Sequence, residues 1–414
     1  MSQQTATSQT PPRPRRDIEY HPLEHQGRSL VLIRDHLGLV PEGQAITRVA
    51  FQLLAMLEQC DSWSDFQYSL MRMNEGAMVS RADAHKIVDS LDELYLLHTE
   101  RFQAARQEIV ERFAAQPERP CVLSGQSYPA SSQALDAILT EIIAASPEAD
   151  QEEAHGVVGL MAPHIDLSIG KRSYGQAYRL LRHLEPSLVL ILGVGHQLGG
   201  WPYSISDKTY ATPLGPLPAD RETVWELRRQ GGAAVAPDDF VHRSEHSIEF
   251  QSLFLRHGLN RCEPHIVPVL CGSLPACLPE YSREAFLNKA GDFLEGLRRA
   301  LGAAAEKALV VAGVDLSHIG PKFGHEEPAT ALQAEAEAHD RALLECLARL
   351  DAEGLWRESK RVQDRYHVCG FSALATLVEI LPRCTGRILE YEMHHQSGAR
   401  SAVSFAAAAF RAAP

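Results

Sequence analysis

The chain has 414 residues, 45% of them hydrophobic and 22% charged, and a formal net charge of −13 at pH 7. That length can bury a large core and hold two domains. Phosphate-backbone binding needs local positive charge, and a bilayer span needs about 20 apolar residues in a row; neither is present, so no nucleic acid and no membrane are expected as partners.

The first segment, "MSQQTATSQTPPRPRR", lacks the apolar centre of a secretory signal. Residues 1–18 carry no periodicity and read as a disordered leader, too polar to offset the entropy of ordering. The eight cysteines are scattered without a CxxC pair, which predicts reduced thiols and a cytoplasmic location.

From residue 28 the pattern changes. "SLVLIRDHLGLV" reads as a strand or strand pair, and "AITRVAFQLLAMLEQC", "SWSDFQYSLMRM" and "SRADAHKIVDSLDELYLL" space their apolar residues three and four apart, as helices do. The polar starts "DSWSD" and "SRAD" supply N-caps. "LYLLHTERF" reads as a helix end running into a strand or wing. Residues 28–102 therefore resemble a winged helix-turn-helix, in particular the PqqD-like peptide-binding modules that accompany radical SAM enzymes. Their acidic balance favours a protein or peptide partner over DNA; a structural cap on the larger domain fits the same residues. Residues 103–119 read as a connecting helix.

The second domain is expected over 120–414. Its apolar runs "HGVVGLMAP", "PSLVLILGV", "HIVPVLCG", "ALVVAGVDL", "GRILEYEMH" and "RSAVSFAAAAF" alternate with amphipathic stretches such as "DRETVWELRRQ" and "CGFSALATLVEIL". This predicts an α/β domain with a largely parallel central sheet and helices on both faces.

Three of these runs end in a histidine: His164, His196 and, after Leu316 and Ser317, His318. In open α/β sheets ligands collect beyond the carboxyl ends of the strands, so these side chains converge on one crevice. Glycines 193, 195 and 320 beside them allow close approach or positive φ, as does any tight turn. In "HRSEHSIEF" His242 and His246 lie four apart, but no glutamate directly follows the first, so the HExxH zinc motif is excluded. The apolar remainder of that helix leaves Glu245 and His246 as its functional candidates. Cys369 precedes another apolar helix, where a helix N-terminus would favour its thiolate; an inert buried cysteine is the competing reading.

The motifs "SGQSYPAS", "APHIDLSIG", "LGVGHQ", "YATPLGPLPAD", "EHSIEFQ", "IVPVLCG", "DLSHIGPKFG" and "YHVCGFSAL" follow one another as in the Memo family. Over residues 120–414 the chain resembles it, and within it the bacterial proteins labelled AmmeMemoRadiSam system protein B. The resemblance implies the fold of LigB-type class III extradiol dioxygenases, which bind non-haem Fe(II). It implies metal ligation by His164, His196 and Cys369, proton transfer by His318 with Asp315 orienting it, and His246 in the same pocket. The family's common "PHAGY" is "PHIDL" here, so Asp166 adds a carboxylate able to orient a histidine or bind metal itself. Two histidines and a thiolate suit Fe(II), Cu or Zn.

Two readings follow. One is a mononuclear redox enzyme, dioxygenase-like; the other is a non-catalytic adaptor that binds a peptide or protein. The resemblance also implies a radical SAM enzyme and an AMMECR-type protein as partners, and a small-molecule or peptide substrate.

Overall fold

A computed structural model describes residues 10–412 and divides the chain into two compact units, residues 1–115 and 116–414. In the first, β1 (Ile18–His25), β2 (Arg28–Asp35) and β3 (Ala45–Thr47) form an antiparallel sheet in that order. Helices α1 (Arg48–Gln59), α2 (Trp63–Met73), α3 (Arg81–Glu93) and α4 (Glu100–Ala114) follow. Ser62 and Ser80 cap α2 and α3 by accepting the backbone N–H groups of Asp65 and Asp83. Leu57, Phe66, Ala84 and Leu96 fill the core with Ile33 and Ile46.

Three expectations change here. Residues 1–9 of the expected leader lie outside the described residues, but residues 10–17 are placed. Pro14 bridges to Leu97, and the Arg15 side chain is buried, paired to Asp17 and to a buried Asp35. Composition alone misses this, because the arginine's charge is matched by a carboxylate distant in sequence. The paired strands precede the three helices, and after α3 the chain makes that single bridge, so a wing following the third helix is not what forms. The expected connecting helix is α4, which belongs to the first unit.

The second unit runs β4 (Glu118–Arg119), α5 (Ser132–Ala144), α6 (Gln151–Ala154), β5 (Val157–Ala162), α7 (Lys171–Tyr178), β6 (Leu188–Val194), β7 (Tyr203–Ile205), β8 (Thr209–Tyr210), α8 (Arg221–Gly231) and α9 (Ser247–Gly258). It continues with β9 (His265–Cys271), α10 (Leu274–Cys277), α11 (Arg283–Ala304), β10 (Ala308–Gly313), β11 (Asp315–Ile319), α12 (Ala329–Ala348), α13 (Ala352–Val362), α14 (Phe371–Ile380), β12 (Cys384–Gln396) and β13 (Ser401–Ala412).

Its main sheet has eight strands in the order β11-β13-β5-β10-β6-β9-β7, with β12 also paired to β13. Only β5, β10, β6 and β9 are mutually parallel; β7, β11, β12 and β13 pair antiparallel. The sheet is therefore mixed rather than largely parallel. The physical reason is connection length: β12 and β13 are joined by Ser397–Arg400, enough for a hairpin and too short for the crossover a parallel pair needs.

Side chains of β6 alternate between two cores. Leu188, Leu190, Leu192 and Val194 face the core containing residues of α8, α11, α13 and α14, while Val189 and Ile191 face that of α5, α7 and α9. Helices thus cover both faces, and the strand ends supply a rigid rim. After Gly313 the chain of β10 runs past the end of β5, where the Val314 N–H donates to Ala162, and then continues as β11 alongside β13.

Candidate metal centre

His164 follows β5 by two residues, and its ring is held by a hydrogen bond from Nδ1–H to the Gly313 carbonyl at 3.0 Å. That bond fixes the tautomer and turns Nε2 inward as a lone-pair donor. His196, two residues beyond β6, is fixed similarly: its Nδ1 lies 3.0 Å from one Glu245 carboxylate oxygen and 3.2 Å from the other. Cys369 comes from the turn before α14, with Sγ 3.6 Å from His164 Nε2. One donor atom from each of His164, His196 and Cys369 lies within 4.8 Å of the others.

This donor set fits a metal ion. Bonds of about 2.0 Å to nitrogen and 2.3 Å to sulfur in a tetrahedral arrangement call for an N–S separation of about 3.5 Å, close to the 3.6 Å between Cys369 Sγ and His164 Nε2. Both imidazoles have the other nitrogen engaged, as bound histidines require.

Glu245 joins the surrounding parts. Its carboxylate accepts backbone N–H bonds from His196 (3.1 Å), His246 (2.8 Å) and Ser247 (3.0 Å) in addition to the His196 ring. Burial alone would raise its pKa, but His196 and then His246 outweigh burial and hold it well below the ordinary carboxylate range. Burial opposes protonation of His196 as well; here the Glu245 charge wins and the ring's pKa stands well above its usual value. Burial brings His164 down to about 4, with His196 acting in the same direction. His246 stacks on His196, ring centroids 5.2 Å apart, and meets His164 edge-on at 5.4 Å. Burial takes it to about 4 against the pull of Glu245.

The structure revises three expected roles. Asp315 does not hold His318: it accepts the His164 backbone N–H at 2.9 Å, and the His318 ring donates from Nδ1 to Leu316 O at 2.9 Å. His318 is still close enough to Asp315, His164 and His196 to feel their charge, and burial lowers its pKa to about 4. Asp166 closes its own turn by accepting Ser168 N–H (2.9 Å) and Oγ–H (2.6 Å), so ring orientation at His164 falls to Gly313 instead. Cys369 stands before a helix N-terminus, but burial pushes its thiol up, opposing the His196 hydrogen bond. A bound cation would be needed to draw off its proton.

His242 and His246 both precede the helix, His246 as its N-cap residue. His242 lies in the turn Phe240–Arg243, wholly buried, with Nδ1 2.7 Å from the Tyr210 hydroxyl, while α9 begins at Ser247. Gly320 does adopt positive φ, +102°, with the Arg400 carbonyl 2.6 Å from where a Cβ would stand. Gly193 instead admits α9, whose Ile248 and Ser247 would lie 2.6 Å from a Cβ.

Arg119, absent from the sequence-based candidates, underpins the site. Fully buried, it donates to the carbonyls of His242 and Glu245 and pairs with the buried Glu249 carboxylate, which Tyr128 also contacts. It thereby ties down the backbone that presents Glu245 and His246. A lone arginine in "ERPC" carries no local signal of this.

A family model described as Memo-like protein matches residues 119–409, the span that holds every residue of this centre. A MEMO1 family protein of Aquifex aeolicus is 26% identical over 396 residues, covering 95% of this chain and 99% of its own length, so the likeness takes in the first unit. MEMO1 family proteins of Thermus thermophilus and Archaeoglobus fulgidus are each 27% identical, over 79% and 61% of this chain and 93% and 83% of theirs. With nearly all of its second unit matched in this way, the chain belongs to the Memo family.

Proposed function

We propose that the chain is a metal-dependent redox protein, dioxygenase-like, whose His164, His196 and Cys369 hold one Fe(II) ion, with Cu or Zn as chemically suited substitutes. The observation that carries this is the convergence of three donor atoms from three strand and helix ends within 4.8 Å. Such an ion would supply Lewis acidity and electron transfer at open coordination positions. The chain's own residues do the rest. Glu245 and the Gly313 carbonyl keep the two imidazoles aimed, and His318, its Nδ1–H spent on Leu316 O, offers an unprotonated Nε2 as proton acceptor.

In this reading the chain acts in the cytoplasm as an AmmeMemoRadiSam system protein B, beside a radical SAM enzyme and an AMMECR-type protein, on a small molecule or peptide. Its first unit would serve as the PqqD-like peptide-binding part. One observation favours the adaptor reading: Val49, Phe51, Tyr68, Met73, Met78 and Leu94, all in the first unit, are large apolar side chains left exposed.

Elemental analysis of protein purified without oxygen tests the first reading, with His164→Ala and Cys369→Ala in parallel. About one iron per chain, lost in both variants, is the expected result. Wild-type protein without metal, or variants that keep it, would show the ligand set to be wrong and leave the adaptor reading.

A further inference from the structure

Asp315 and His318 are three apart on one strand, and in a regular strand such residues face opposite sides of the sheet. They share a side because β11 carries an extra residue. Asp315 pairs with Phe405 but His318 with Val403, so Leu316 and Ser317 together oppose Ser404. This is a β-bulge, which re-aims the side chains beyond it. Without it His318 would pair with Ala402 and turn away from Asp315 and His164.

A bulge leaves backbone groups without ladder partners, and here side chains satisfy them. The Ser317 N–H donates to Ser404 Oγ at 2.9 Å, and Ser404 Oγ–H donates to Asp340 of α12 at 2.5 Å. The Ser317 hydroxyl donates to the other Asp340 oxygen at 2.7 Å, and the Tyr391 hydroxyl donates at 2.9 Å. Ser317, Ser404 and Asp340 are wholly buried. A buried carboxylate with three hydroxyl donors is costly to desolvate and strongly directional, and it spends that directionality on the bulge.

We propose that Asp340, acting through Ser404 and Ser317, is a positioning residue that locks the β11 bulge and so keeps His318 facing the metal site. The proposal rests on the reading of His164, His196 and Cys369 as a metal site in which His318 works.

The test uses the full-length chain with 13C at the histidine ε1 carbons, each ring signal assigned by its own substitution. In Ser404→Ala and Asp340→Asn the His318 ring signal is expected to move by more than its linewidth or to split in two. The His242 signal, from a ring engaged elsewhere with Tyr210, should stay. Ser206→Ala, which removes a buried hydroxyl bonded to Asp239, is the control for general loosening and should leave His318 unmoved. Ser404→Thr, which keeps the accepting oxygen, should restore the wild-type position, and it also serves if Asp340→Asn does not fold. A His318 signal unchanged in folded Ser404→Ala overturns the proposal, as does one that moves equally in the control. Metal content is read on the same samples: a wild type without metal removes the functional reading, while the ring signal alone decides the bulge.

Discussion

Replacing Glu245 by Gln changes one atom in a fully used carboxylate. One oxygen accepts the N–H groups of His246 and Ser247; the other accepts the His196 N–H and, at 3.0 Å, its Nδ1–H. An amide can keep only one oxygen, so in either orientation two donors face an NH2 group. At about 1–3 kcal/mol for each unsatisfied buried donor, the folded protein loses about 2–6 kcal/mol. If the NH2 group faces His196, its ring is driven to the tautomer with the proton on Nε2, the atom that should bind metal. Losing the partner behind a ligand typically weakens metal binding 10- to 100-fold, or about 1.4–2.7 kcal/mol. Competition against a chromophoric chelator with Co(II) or Zn(II) measures this at pH 7, and circular dichroism shows that the variant is folded. A folded Glu245→Gln protein with wild-type affinity would refute the assignment of His196 as a ligand aimed by Glu245.

Other outcomes are expected on the same grounds. Arg119→Met strands the Glu249 carboxylate in the core and should cost about 3–5 kcal/mol in urea denaturation, where a loss under about 1 kcal/mol would mean the pair is not structural. In Gly313→Ala a Cβ would stand 2.5 Å from Gln251 Nε2 and 2.7 Å from the Ser247 carbonyl. Overpacking of this kind costs about 1–3 kcal/mol, and since the Gly313 carbonyl aims His164, chelator competition should show weaker metal binding too. Metal-free protein should lose stability as pH falls from about 6.5 towards 4. His164, His246 and His318 take up protons near 6.5 when unfolded but only at about 4 when folded, and His242 only at about 3, so the unfolded state binds more protons in that window. With four such groups the slope approaches about 5.4 kcal/mol per pH unit, and a flat or rising stability between pH 6.5 and 5 would contradict the burial of these rings.

Much of the second unit could be read from the chain because most of its strands are buried on both faces and so appear as apolar runs: β5, β6, β9, β10 and β13 stand where those runs are, and the half-exposed β12 lies in the expected stretch as well. His164 and His196 were found for the same reason, as polar residues just where such runs stop. Strand direction was not legible, because it depends on which strands become neighbours. That Asp315 and His318 share a side was not derivable from local sequence, because the bulge in β11 that brings them together lies in pairing with a strand more than 80 residues later. The sequence left the Cys369 thiol open between thiolate and buried cysteine, because a helix start is visible in sequence and burial is not. Arg15 fell within the stretch read as a disordered leader and Arg119 was not singled out, since their partners Asp35 and Glu249 are brought to them only by folding.

The place of β13 has a consequence for synthesis. Translated at about 5–20 residues per second, the chain completes β5 tens of seconds before the strand that covers its open edge, Ala408–Arg411 of β13, leaves the ribosome. During that interval the apolar run "VVGLMA" first lacks both neighbours, since β10 too is made later, and is then a half-paired edge able to accept strands from other chains. Cys369, 205 residues beyond His164, is also late, so the proposed ligand set is complete only after most of translation. A nascent chain stalled before β12 should therefore be held by ribosome-associated chaperones, whereas the released chain closes its sheet in one late step.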